Sequence, residues 1–357
     1  MIKEVFNGSI KNMQIMDEDG NIDNSLFPKD LDSKKLIELY KFMNLGRAVS
    51  NKLLALQRLG KVATFAPLNG EEAVQAGSAY AAEESDFIVP TFRNHLPFII
   101  RGVPLENLFI AVKGYEEAYS SVLQKHLTPE VIAVGSQYTQ AAGIAFSMKY
   151  QKYKNAVIVY GGDGSTSEGD FYEAMNFAGV FNLPIIFIIE NNEWAISVPR
   201  SKQTASKTLA QKAVAAGLDA IQVDGNDVIA VYKATKDALD SVKNSGKPFV
   251  IEALTYRMGM HTTSDDPTKY RPESEVDPWK PKDPILRLRK YLASNKLWND
   301  SMEEDMQNQN KSLIDNATAK VNEAKANPKA MFDNVYSFMP ETLKEEEDEA
   351  LKNNFWQ

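Results

Sequence analysis

The chain has 357 residues, 43% of them hydrophobic, enough to bury the core of one large α/β domain with extensions or of two small domains. A formal net charge of −8 argues against nucleic acid as the main partner, and no apolar run approaches the ~18 to 20 residues of a membrane span. There is no cysteine, which excludes disulfides, thiolate metal sites and a cysteine nucleophile, and only three histidines (His95, His126 and His261), too few for a zinc site built from several. Met1 to Ile10 carries mixed charge and no apolar signal core, so no signal peptide is expected and a cytoplasmic setting is the default.

Residues 1–31 are polar and read as an arm, with a turn cluster from Asp17 to Asn21. From Asp32, Leu36, Leu39, Tyr40, Met43 and neighbouring apolar residues recur at three- and four-residue steps, which predicts a helix. Asn69-Gly70-Glu71-Glu72 opens a second, alanine-rich helix, and Ser85 to Pro90 reads as a short strand. Ala156 to Tyr160 is a continuous apolar run, the pattern of a parallel strand buried on both faces. A loop from Gly161 to Ser167 follows, then a helix from Glu168 to Phe181 capped by Ser165, Thr166 or Ser167. Apolar residues cover most of that helix, so burial on several sides is expected. Ile185 to Ile189 is the next strand, completing a βαβ unit.

The alternation repeats with a strand at Ile221 to Val223, a helix from Asp227 to Ser245 and a strand at Phe249 to Leu254. The fold class is therefore α/β, a doubly wound parallel sheet with helical N- and C-terminal extensions. His261 to Pro284 is a long loop with five prolines, expected to be loose until a ligand orders it. The organisation reads as an arm over 1–31, one α/β domain with its C-terminal helices over 32–340, and an acidic helix or tail over 341–357.

Ligands of open parallel sheets bind beyond the carboxyl ends of the strands. Three loops leave such ends: Gly162-Asp163-Gly164, Asn191-Asn192 and Gly259-Met260-His261. If the first two strands are neighbours, Asp163 and Asn192 can reach one ion, and a carboxylate with an amide oxygen suits Mg²⁺. The glycines admit a phosphate close to the backbone, and the following helix offers it N–H groups. A dinucleotide fingerprint begins at Gly162, but Ser167 stands where its third glycine belongs.

The run GDGSTSEGDFYEAMNFAGVFNLPIIFIIENNEWAISVP, from Gly162 to Pro199, resembles the thiamine-diphosphate motif. With Pro90 to His95, Gly135 to Ala145 and Thr255 to Arg271, the chain resembles the alpha subunit of the decarboxylase component of 2-oxo acid dehydrogenase complexes. The resemblance implies thiamine diphosphate and Mg²⁺ as cofactors, with Asp163, Asn192 and the Trp194 carbonyl on the metal. It implies that Arg93 and the backbone of Gly162, Gly164 and Ser165 hold the diphosphate, with Ser136 and Tyr138 near the aminopyrimidine. Phe92 stands where the family often has a tyrosine, so one phosphate contact is in doubt. His261 is implied as the catalytic residue, near the diphosphate and tied to acyl transfer onto lipoamide. The implied partners are a beta subunit in an α₂β₂ heterotetramer, which supplies a glutamate this chain lacks room for, and the lipoyl domain of an acyltransferase core. Neither nucleic acid nor membrane is expected as a partner. Glu190, Met260 and the stretch from Lys202 to Gly217 favour pyruvate as substrate, with branched-chain 2-oxo acids or acetoin as alternatives.

Overall fold

The computed structural model describes residues 1–325, 327–333 and 335–353. In chain order it builds β1 (Asn12–Met13), α1 (Ser33–Arg58), α2 (Glu72–Ala81), β2 (Phe87–Val89), α3 (His95–Ile100), α4 (Leu105–Val112), α5 (Ser136–Tyr150) and β3 (Val157–Gly162). There follow α6 (Gly169–Phe181), β4 (Ile185–Asn191), β5 (Trp194–Ala195), β6 (Val198–Pro199), α7 (Arg200–Gln203), α8 (Lys212–Ala215), β7 (Asp219–Asp224), α9 (Val228–Ser245) and β8 (Phe249–Leu254). The helices α10 (Pro284–Ser294), α11 (Asp300–Glu323), α12 (Ala330–Asp333) and α13 (Glu341–Asn353) finish the described chain. The last four residues of the acidic tail read from the sequence lie outside the described residues.

Six strands form one parallel sheet in the order β1-β7-β8-β4-β3-β2, and β5 and β6 make a separate hairpin. The chain runs outward-to-centre through β2, β3 and β4, then skips a position to β7 and turns back to β8. Parallel crossovers are right-handed, so this reversal puts α5 and α6 on one face and α9 on the other. The strands show it: Val157, Val159, Phe187 and Ile189 pack with α5 and α6, whereas Ile158, Tyr160, Ile186 and Ile188 pack with α1, α2 and α9. Reversal between β4 and β8 opens the crevice in which such sheets place ligands.

The segment read as an arm divides in two. Residues 1–9 are exposed, but Asn12 and Met13 pair with Gln222 and Val223 at the sheet edge, and Ile15, Met16 and Leu31 are buried. The signal was hidden because the strand is two residues long and its anchor lies far away in sequence. Asp227 Oδ2 accepts from the Ile15 and Met16 N–H groups at 2.7 and 2.6 Å, while its Oδ1 caps α9. Burial pushes this carboxyl up to about 6.

Two further expectations change. The cap of α6 is Glu168, with extended backbone and no side-chain cap bond. Ser165 and Thr166 instead turn their hydroxyls back to the Gly162 and Asp163 carbonyls, closing a 3₁₀ turn over Gly164–Ser167. Nor is α6 buried on several sides within this chain. Phe171, Ala174, Met175 and Ala178 face the sheet, while Phe177, Val180 and Phe181 remain exposed beside Phe146 of α5.

Candidate active site

The register of the sheet brings the three predicted loops together. Gly162 pairs with Glu190, and Asn191 with Leu254, so the ends of β3, β4 and β8 lie side by side. Beyond them is a cavity of about 270 Å³ whose wall includes Arg93, Asp163, Glu190, Asn192, Trp194 and His261. The approach of the β5–β6 hairpin to the first loop requires Gly164, because a Cβ there would stand 2.6 Å from that of Ala195.

One side of the cavity carries oxygen donors. Asp163 is 2% exposed; burial raises its pKa, and Gln203 Nε2 donates to its Oδ2 at 2.7 Å. Asn192 donates from Nδ2 to Glu71 Oε1 at 2.7 Å and accepts the Trp194 N–H on Oδ1 at 3.1 Å. Among the described residues no group of three or more His, Cys, Asp or Glu side chains is placed to hold a metal ion. A set of one carboxylate, one amide oxygen and the Trp194 carbonyl is a different donor type, suited to a hard cation that keeps further oxygen ligands from water or phosphate.

Arg93 makes the His261 side of the cavity cationic, and Arg257 and Arg271 are packed behind it. Arg93 donates to the Pro67 carbonyl at 2.6 Å, and its other nitrogen meets His261 Nδ1 and the His261 carbonyl, both at 3.1 Å. Arg257, 1% exposed, donates to the Trp194 and Ile196 carbonyls and to the Tyr270 hydroxyl, and its Nε has no protein partner. Arg271 spans the carbonyls of Arg257 and Gly259. Burial first, and the neighbouring Arg93 and Arg271 guanidiniums with it, lower the Arg257 pKa, while Tyr270 and Asp265 act against them. Burial, Arg93 and Arg257 push His261 down to about 4, so its ring is neutral. Arg93 on the cavity wall, with this positive cluster behind it, fits an anion with several oxygens, as a diphosphate has.

Two buried carboxylates, Glu71 and Glu190, also line the cavity. Burial and the Glu71 charge raise the Glu190 pKa well above the carboxylate range, and its Oε1 has no protein partner. Asn94 Nδ2 donates to the other oxygen at 2.9 Å.

Of the residues singled out in the sequence, Phe92, Arg93, Gly162, Asp163, Gly164, Ser165, Asn192, Trp194 and His261 all line this cavity. Ser136 and Tyr138 do not. The Ser136 hydroxyl donates to the Ala133 carbonyl in the turn that starts α5, and Tyr138 is fully buried against Ser165 Oγ at 2.6 Å. Val131, Val134 and Gln137 take that wall instead. Sequence reasoning assigned no role to Arg257, Gln203 or Glu71; the first lay within the Thr255 to Arg271 stretch and could have been weighed there. A larger apolar cavity of about 540 Å³ adjoins the first through Phe92, Val134 and His261. The loop from His261 to Pro284 is anchored by Thr263 on the Phe65 carbonyl, by Asp265 on the His261 N–H, and by packing of Trp194, Tyr256 and Val276.

Comparison with known proteins agrees with this geometry. The pattern of the family described as dehydrogenase E1 component matches residues 40–330. A protein of Staphylococcus epidermidis named pyruvate dehydrogenase E1 component subunit alpha is 44% identical over 338 residues, covering 94% of this chain and 91% of that one. Its counterparts of the same name in two strains of Staphylococcus aureus are 43% and 42% identical over the same shares. The family's enzymes depend on thiamine diphosphate. By the span of the match and the identity of these relatives, the chain belongs to the dehydrogenase E1 component family.

Proposed function

We propose that this chain is the alpha subunit of a pyruvate dehydrogenase, the component that decarboxylates pyruvate oxidatively and passes the acetyl group to a lipoyl acceptor. The observation that carries the reading is a single cavity lined by the oxygen donors Asp163 and Asn192 together with the buried Arg93 and His261, in a chain whose relatives bear that name. Thiamine diphosphate, when bound, supplies a nucleophilic carbon and an electron sink for loss of CO₂ from a 2-oxo acid. Arg93 would hold its diphosphate, with Arg257 behind His261 adding positive charge, and the backbone of Gly162, Gly164 and Ser165 would lie against it. Asp163, the Asn192 side-chain oxygen and the Trp194 carbonyl hold Mg²⁺. Phe92 contributes a ring edge against His261 in place of a hydroxyl. A neutral His261 presents a ring that takes or gives a proton on the diphosphate side and assists acyl transfer.

The exposed face of α5 and α6, with Phe146, Phe177 and Phe181 packed edge and tilt against one another in solvent, supports a beta subunit in an α₂β₂ assembly. The larger apolar cavity beside His261 supports access for a lipoyl group from an acyltransferase core. Among the described residues no helix is long and apolar enough to cross a membrane, and cytoplasmic residence is part of the proposal.

The test is dye-linked decarboxylation by the chain reconstituted with its beta subunit, thiamine diphosphate and Mg²⁺. A kcat/KM for pyruvate about tenfold above that for 3-methyl-2-oxobutanoate, about 1.4 kcal/mol of discrimination, is expected. The reverse preference makes it a branched-chain enzyme; turnover without the beta subunit refutes the shared site.

A further inference from the structure

Glu71 is a carboxylate with 1% exposure, on the turn before α2, and it has no contact with solvent to justify its charge. Its side chain makes no capping bond to its own helix. Oε1 accepts from Asn192 Nδ2 at 2.7 Å and lies 3.5 Å from Arg93 Nε. One oxygen thus touches a residue from each side of the cavity, the amide at the end of β4 and the guanidinium after β2. A buried carboxylate costs several kcal/mol of desolvation, and a second one, Glu190, stands close enough to raise that cost.

The two ends of an asparagine amide are nearly alike in shape and opposite in function. Rotated by half a turn, Asn192 would offer an NH₂ group where a cation needs an oxygen. Glu71 Oε1 accepts from the NH₂ end of Asn192, which leaves the oxygen end turned away from Glu71. The Trp194 N–H, a donor, faces only the oxygen end. We propose that Glu71 is a positioning residue that fixes the Asn192 side-chain oxygen toward the metal and, through Arg93, ties the metal side of the cavity to the diphosphate side. The inference rests on the metal-site reading above and adds to it a residue that acts through Asn192. Partners of this kind commonly contribute about 10- to 100-fold to metal affinity.

The test uses the assembled α–β complex at saturating thiamine diphosphate and counts free Mn²⁺ by electron paramagnetic resonance. Glu71→Leu keeps most of the volume and removes the acceptor; Mn²⁺ affinity is expected to fall about 10- to 100-fold. Glu71→Gln can still present a carbonyl to Asn192 and is expected to recover most of the loss. A second pair of variants separates positioning from packing. Asn192→Asp places a carboxylate against Glu71 and is expected to abolish binding, whereas Asn192→Asp with Glu71→Gln restores a donor–acceptor pair and is expected to regain it. Glu71→Leu binding Mn²⁺ as tightly as wild type overturns the inference, as does a double variant no better than Asn192→Asp alone. Wild type that takes up no Mn²⁺ with the cofactor overturns the metal site itself, and the inference with it.

Discussion

The charge state of His261 supplies the most demanding expectation. In the cofactor-free protein its pKa is about 4, so at pH 6 about 1% of the rings carry a proton. A diphosphate bound beside Arg93 and His261 would change this field. One uncompensated negative charge roughly 5 Å from the ring, at an effective dielectric of about 20, contributes about 3 kcal/mol and lifts the pKa by about 2. The ring then titrates near pH 6, and binding at that pH draws in about half a proton. Titration calorimetry at pH 6 in two buffers of different ionisation enthalpy counts it. Metal binding can move protons at other groups as well, so the measured quantity is the difference between wild type and His261→Gln. An uptake larger in wild type by about half a proton is expected. Equal counts in the two proteins would falsify the placement of the diphosphate beside this ring.

Three other outcomes follow from the same coordinates. The His261 pKa is depressed from 6.5 to about 4 on folding, so the unfolded chain binds the proton more tightly; stability of the cofactor-free protein should decline as pH falls through that window, and urea midpoints for His261→Gln should decline less. Asp227→Ala leaves four buried N–H groups without their acceptor, two in the edge segment and two at the start of α9; a loss of roughly 3 to 5 kcal/mol in urea unfolding is expected, and a loss below about 1 kcal/mol counts against the clamp. Gly164→Ala meets the Ala195 Cβ at 2.6 Å and must push the β5–β6 hairpin, with Trp194, away from Asp163; turnover should fall by up to about 100-fold at near-normal stability, and unchanged turnover would show that hairpin position is irrelevant.

The parts of the site that were legible in the sequence share one property: their neighbours in space are set by the regular geometry of a parallel sheet. An apolar run, a glycine loop and a polar residue at each strand end suffice to place Asp163 and Asn192 together, because adjacent parallel strands end side by side. Ser136 and Tyr138 are turned away from the cavity for a reason of direction. A residue one step from the cavity wall in a helix turns roughly 100° away from it, and only the start of α5 at Ser136 tells which of Val134, Ser136, Gln137 and Tyr138 faces inward. The edge segment, Gln203 and Glu71 were illegible for a different reason. Each acts through a partner far along the chain, and hydrogen bonds such as Glu71 to Asn192 leave no periodic trace in either segment.

The arrangement of charge explains why these illegible residues matter. The cavity sets buried carboxylates at Asp163, Glu71 and Glu190 against the buried Arg93 guanidinium, with Arg257 behind His261 and with Arg93 and Glu71 meeting across the divide. Burial first, with like charges added at Glu190, Arg257 and His261, raises the energy of the empty site, visible in the raised pKa values of Asp163 and Glu190 and the lowered ones of Arg257 and His261. A ligand that brings a cation to the carboxylates and an anion to the arginines relieves both sides at once, and neither half alone does so. Mg²⁺ and the diphosphate should therefore bind with strong mutual dependence, each tightening the other by the same factor, as linkage requires. A measured Mg²⁺ affinity that is independent of thiamine diphosphate would mean that the two walls do not communicate, and the charge segregation would then lack the role argued for it.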